Sequence, residues 1–170
     1  FQGITGQPLS QGMKILANVQ VNFHELYGFS LNIKDIDANY TLGEKERLKQ
    51  EVINKLIADG VFEMNKELEL PTVPQHVAVI SSPTAAGWGD FSTHLETNPY
   101  YYKVNATLFP AIMQGDGAPD SIIAALHAII ATDKFELIVL IRGGGSQLDL
   151  ECFNDYDLCS HLAQSPLPVI

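Results

Sequence analysis

The chain has 170 residues, 46% of them hydrophobic, which is enough for one domain or one and a half. Twenty acidic against ten basic side chains leave a formal charge of −10; this argues against a strong non-specific hold on nucleic acid by this chain alone, so any phosphate chemistry has to be local. No apolar run approaches the length of a membrane span, no secretory signal is present, and Cys152 and Cys159 lack zinc-type spacing, so the reading is reduced thiols in a cytoplasmic protein.

Phe1-Gln2-Gly3 reads equally as a tag remnant or as native sequence. Residues 14–37 then predict a β-hairpin. Ile15, Ala17, Val19, Val21 and Phe23 alternate with polar residues, and Phe29, Leu31 and Ile33 do so after the turn His24–Gly28. The alternation predicts one buried face. Two strands are too little sheet to stand alone, so either more strands precede Phe1 or the hairpin packs on another domain. Thr41-Leu-Gly-Glu44 offers a capping box, followed at helical spacing by Leu48, Val52, Ile53, Leu56 and Ile57, with Gly60 placed to end the helix. A charged connector ending in Pro71-Thr-Val-Pro74 marks the domain boundary.

From Gln75 the rhythm becomes β/α alternation. His76 to Ser81 is a strand, Ser82 to Asp90 a turn running into a helix, and Lys103 to Phe109 a second strand. Asp116 to Thr132 carries a helix with Pro119 near its first turn and Ile122, Ile123, Leu126, Ile129 and Ile130 on its apolar face. Leu137 to Ile141 is a third strand, short and β-branched enough to be buried on both faces. Asn154 caps a further helix with Asp157 three residues on, and Pro168-Val-Ile170 begins a fourth strand. The fold class is therefore α/β: an open, mostly parallel sheet with flanking helices, preceded by a hairpin and a linking helix. The stop inside an apolar run reads as a truncation.

The third strand runs straight into Arg142-Gly-Gly-Gly-Ser146. Three successive glycines can expose several backbone N–H groups together, and a guanidinium beside such a concave row of amides suits a phosphate or another anion. The pattern is neither a P-loop nor a dinucleotide fingerprint, and a flexible strand-to-helix turn would also use it. Ser81-Ser82-Pro-Thr84 follows the first strand and so faces the same sheet edge, which is where open α/β sheets place their sites. Asp90 lies two helical turns or less further on. Near an Arg and an amide nest, its carboxylate could orient water, bind a metal or pair with the Arg; a first-turn helix acid favoured by the helix dipole is the plainer alternative. Asp149, Glu151, Asp155 and Asp157 read as a solvated helix start or a metal site. Trp88 reads as a base-stacking residue or as one that closes a core edge, and the five histidines are scattered without ligand spacing.

Taken together, these segments resemble the exodeoxyribonuclease VII large-subunit family. The residues that carry the likeness are Val77-Ala-Val-Ile-Ser-Ser-Pro-Thr84 with Asp90, Pro110 with Gln114-Gly115-Asp116, Arg142-Gly-Gly-Gly-Ser146 with Asp149-Leu150 and Phe153-Asn154, and Ser165-Pro-Leu-Pro-Val-Ile170. Upstream, Gly12-Met-Lys-Ile-Leu16, Tyr27-Gly28 and Leu56 through Gly60-Val-Phe62 to Leu70-Pro71 also match, so the likeness covers nearly the whole chain. It departs at Thr84-Ala-Ala-Gly-Trp-Gly, where the family reads Thr-Gly-Ala-Ala, and at Glu151, where a Trp is common.

The resemblance implies a partial OB-fold that binds single-stranded DNA over residues 1–40, a helix and linker over 41–74, and the first part of an α/β exonuclease domain over 75–170. It implies hydrolysis of single-stranded DNA from either end to short products and 5′-phosphomononucleotides, and assembly with several copies of a small subunit through a C-terminal helical region. By the same likeness Asp90 and Arg142 are catalytic, and Ser82, Thr84, Gly143, Gly144, Gly145 and Ser146 bind phosphate. No cofactor is fixed by the sequence, and Mg2+ is left open. The family's Gly-His-Glu-Thr-Asp run is expected beyond Ile170, where its His and Asp would complete the site, so the chain alone is expected to be inactive. Two other functions fit the same residues: a non-catalytic anion- or nucleotide-binding module, and an adaptor that uses the hairpin as its surface.

Overall fold

The computed structural model describes Leu9 and residues 13–25, 27–143 and 147–170, with the backbone alone at 41, 42 and 147–149. Phe1-Gln2-Gly3 therefore lies outside the described residues. The chain divides into two compact units, one through Glu51 and one from Val52.

In the first unit, β1 (Leu16–His24) and β2 (Gly28–Asp37) form the expected antiparallel hairpin. Gly28 supplies the positive φ that the turn needs. Val19 pairs with Ile33, Val21 with Leu31 and Phe23 with Phe29, which gathers the apolar side chains on one face beyond a bulge at Asn18/Val19. The expectation that this face is buried fails. Phe23 is 65% exposed and Phe29 77%. A two-stranded ribbon supplies no second layer, and among the described residues nothing covers it.

Helix α1 (Ala38–Ala58) follows directly. It starts earlier than the Thr41–Glu44 box implied, because Asp37 is the cap: its Oδ1 accepts hydrogen bonds from the Asn39 and Tyr40 amides at 2.9 and 3.3 Å. Glu44 instead pairs with Arg47 and Lys14, whose hydrogen bonds hold its carboxyl down at about 2. The end falls as expected. Gly60 takes a positive φ, its amide donates to the Ile57 carbonyl, and the Val61 amide donates to that of Leu56.

In the second unit, β3 (His76–Ser81) is central in a parallel sheet, with β4 (Asn105–Pro110) on one side and β5 (Leu137–Leu140) on the other. The period of two along β3 builds two cores. Ala78 and Ile80 face α3 (Ala118–Thr132) and α4 (Tyr156–Ala163), meeting Ile122, Leu126, Ile129 and Leu158. Val77 and Val79 face the other way, onto Trp88 and Phe91 of α2 (Ala86–Glu96). Glu136 ties the start of this sheet: its Oε2 accepts the Gln75 and His76 amides at 2.7 and 2.9 Å, and these bonds, His76 first, hold its carboxyl below the usual range.

Three boundaries differ from expectation. β4 starts at Asn105, because the Asn98 side chain bonds both backbone groups of Tyr102 and keeps that stretch in a loop. α4 is capped by Asp155, whose Oδ1 accepts the Leu158 amide at 2.9 Å, while Asn154 closes a 3₁₀ run over Gln147–Asn154. The fourth strand is a single parallel bridge of Val169 to Ile138. The Asn65 carboxamide fastens that segment, donating to the carbonyls of Ser165 and Leu167 and accepting the Val169 amide.

Candidate functional site

Because β4 and β5 lie on opposite sides of β3, the loops leaving β3 and β5 diverge at the carboxyl edge, and a crevice opens there. Ser81 sets its floor. Fully buried, it donates from Oγ to the Ile141 carbonyl at 2.6 Å, while the Ile141 amide donates to Ile80, so the two strand ends are knitted together just below the loops. Above this floor the chain turns, with the Ala85 amide donating to the Ser82 carbonyl and the Ser82 and Thr84 hydroxyls 3.1 Å apart. No side chain caps the start of α2 at Ala85, so the positive end of that helix is presented at the crevice without a capping side chain.

Gly87 explains why Arg142 sits where it does. A Cβ at position 87 would lie 3.0 Å from Ile141 Cγ2 and 3.2 Å from the Arg142 carbonyl oxygen. The glycine therefore lets the first turn of α2 press against the chain leaving β5. A Cβ on Gly143 would meet that of Ala85 at 3.4 Å, the next contact along the same seam.

The crevice is an open cleft of about 820 Å³. Ser82, Thr84, Arg142 and Gly143 line it together, as do Pro83, Ala85 and Ala86; Pro110 to Gln114 and Ser121 complete the wall on the β4 side. In a chain of net charge −10, its described lining holds one guanidinium, three hydroxyls and no carboxylate. That is an environment for an anion. Gly144, Gly145 and Ser146 lie outside the described residues.

Asp90 is not in the lining. It is the fifth residue of α2, exposed, one turn (about 5.4 Å) behind the cleft-lining Ala86 on the same helix face. Its carboxylate has no hydrogen bond or ion pair among the described residues. The helix-dipole alternative fails, since the first turn of α2 contains no acid. Trp88 closes a core edge, its ring 6.4 Å from that of Phe91. Of the acidic cluster, Asp155 is spent on capping α4, and Glu151 shares a shallow hollow with Asp116 and Cys152. Among the described residues no three His, Cys, Asp or Glu side chains gather as a metal site. Burial pushes the Cys159 thiol up, which keeps it protonated and inert.

Sequence reading missed the β4 wall. Pro110 and Gln114 carried the family likeness, yet nothing local marked Ile112 or Ser121 as their companions. They are brought together by a hydrogen bond from the Ile112 amide to Ser121 Oγ at 2.9 Å, across the turn that enters α3.

The sequence profile of the family described as "Exonuclease VII, large subunit" matches residues 61–170. The chain belongs to this family. The exodeoxyribonuclease 7 large subunit of Deinococcus radiodurans is 36% identical over 174 aligned residues, covering 100% of this chain and 42% of that protein. The protein of the same name from Nostoc sp. PCC 7120 is 37% identical over 121 residues, 71% of this chain and 29% of its own length. That of Shouchella clausii is 34% identical over 163 residues, 94% and 34% respectively. The chain thus spans less than half the length of these curated relatives, and the family match over residues 61–170 includes the described lining of the cleft. No helix among the described residues is long and apolar enough to cross a membrane.

Proposed function

We propose that this chain is part of the large subunit of an exodeoxyribonuclease that hydrolyses single-stranded DNA from its ends, releasing short products and 5′-phosphomononucleotides in the cytoplasm. The observation that carries the reading is the carboxylate-free cleft at the strand ends, with Arg142 and Gly143 on one side and Ser82 and Thr84 beneath an uncapped helix start. In this reading Arg142 and the amides hold the scissile phosphodiester and neutralise charge that builds as water attacks phosphorus. Asp90, at the rim, positions water or a further catalytic group. Gly144, Gly145 and Ser146 extend the phosphate cradle. Residues 1–40 supply part of an OB-fold for the single strand, 41–74 the linker, and 75–170 the exonuclease domain, with small subunits bound elsewhere on the full protein.

A second reading has one observation in its favour. Asp90 stands outside the cleft lining, as it would if the cleft only held an anion or nucleotide without chemistry. One experiment separates the two. Arg142→Lys in the full-length subunit, assembled with its small subunit, keeps the charge but loses the planar fork that makes two bonds to one phosphate. The nuclease reading expects a loss of about 2–4 kcal/mol of transition-state stabilisation, read as kcat on labelled single-stranded DNA. A parent assembly with no hydrolysis of that substrate, with bound mononucleotide still detected, supports the binding module instead.

A further inference from the structure

We propose that the β4 wall of the cleft is a seat for an unpaired nucleobase, with Ile112 as its contact, so that the cleft takes a whole terminal nucleotide and not only a phosphate. This rests on the anion reading of Arg142 and Gly143.

Ile112 is 56% exposed, although its neighbours Ala111 and Met113 are buried. A lone exposed isoleucine is ordinary on a surface. This one lines the cleft, beside Pro110 and across from Arg142. It is also held in place: Ser121 Oγ accepts its backbone amide, and its Cδ1 lies 3.8 Å from where a Cβ on Gly117 would stand, so the side chain rests over the entry to α3. The cleft is therefore two-faced, polar and cationic at the exits of β3 and β5, and aliphatic at the exit of β4. β4 and β5 are separated by β3, hence by two strand spacings, or about 10 Å. That is the breadth of one nucleotide from phosphate to base.

The chemistry of the wall says which bases fit. The Ser121 hydroxyl accepts the Ile112 amide and keeps its own O–H, so Ser121 and Gln114 are the polar side chains on that side. An aliphatic side chain packs on the π-face that every base has, so the seat discriminates little among bases. It does discriminate against duplex, because a terminal base must give up its pairing and its inner stacking to enter the seat. Single-strand selectivity is then in part a property of this wall.

The test uses the 170-residue chain, with 15N-labelled backbone and 13C-labelled isoleucine methyls, titrated with dAMP, dTMP and 2-deoxyribose 5-phosphate. All three should shift the Gly143 amide. Only the two nucleotides should shift the Ile112 δ1 methyl, dAMP more strongly through its larger ring current. Ile112→Ala should weaken both nucleotides about five- to tenfold, the loss expected for a few partly covered carbons, and leave deoxyribose phosphate within about twofold. A stationary Ile112 methyl with a shifting Gly143 amide, or an equal effect of Ile112→Ala on all three ligands, overturns the base seat and spares the anion site. If no ligand moves Gly143, the anion reading has failed, and the seat falls with it.

Discussion

Helix α2 contains a matched pair of glycines that tests the geometry of the cleft. Gly87 and Gly89 flank Trp88, and a glycine within a helix costs about 1 kcal/mol against alanine. At Gly89 an added Cβ meets nothing within 4 Å. Gly89→Ala should therefore stabilise the α/β unit by about 0.5–1 kcal/mol. At Gly87 the same methyl would stand 3.2 Å from a backbone oxygen, that of Arg142, which cannot swing aside as a flexible side chain would. The propensity gain is then opposed by overpacking of about 1–3 kcal/mol, giving a variant roughly 0–2 kcal/mol less stable than the parent. The two substitutions are chemically identical, so their difference, about 1–3 kcal/mol, isolates the contact. Urea unfolding followed by the fluorescence of Trp88, the one tryptophan in the chain, reads the relevant unit directly. The Gly143 amide shift on phosphate addition should also be altered in the Gly87 variant and unchanged in the Gly89 variant. If the two variants gain stability alike, α2 does not press on the exit of β5, and the account of how Arg142 is placed is refuted.

Asp90→Asn should leave stability within about 0.5 kcal/mol, since the side chain is exposed and without a described partner, while abolishing most turnover of the assembled full-length enzyme; a variant that melts well below the parent, or that hydrolyses single-stranded DNA normally, removes Asp90 from the mechanism. Glu136→Gln should change the pH dependence of stability in a defined direction. The folded carboxyl lies below its ordinary 4.5, so Glu136 stabilises the fold above that pH and ceases to do so as the pH falls through the lower folded value. Parent and variant should therefore differ near neutral pH and converge under acid, and a gap that stays constant down to about pH 3 in urea melts contradicts this.

How much of this was legible beforehand depends on whether the signal was local. The bounds of β3 follow from an apolar run between His76 and Ser81, and the buried stripe of α3 from Ile122, Leu126 and Ile129 at helical spacing. Period-two patterning says which faces are buried but not which strand lies beside which, so the divergence of β4 and β5 about β3, which opens the cleft, could not be read. Asp37 belonged to the alternating pattern of a strand, which hid its second role as the cap of α1. The alternation of the hairpin was read as burial, although a pattern states only what a face could bury. Ser82, Thr84, Arg142 and Gly143 do meet round one cleft, because all follow strands of one parallel sheet. Asp90 was raised as a carboxylate near the Arg and the amide nest and given its catalytic role by likeness; it lies outside the cleft lining, one turn behind Ala86. Gly87 looked like a residue that weakens a helix; the reason for it is a neighbour some fifty-five positions away, Arg142.

Asn65 imitates a piece of backbone. The segment Ser165–Ile170 is the outermost of the described residues on the β5 side of the sheet, and such a margin, with open amides and carbonyls, is where another molecule adds a strand. A primary carboxamide carries the same acceptor and donors as a peptide unit. By engaging Ser165, Leu167 and Val169 at once, the Asn65 side chain occupies the positions an incoming strand would use. It works as a molecular blank, a false strand one residue long laid along Ser165 to Val169.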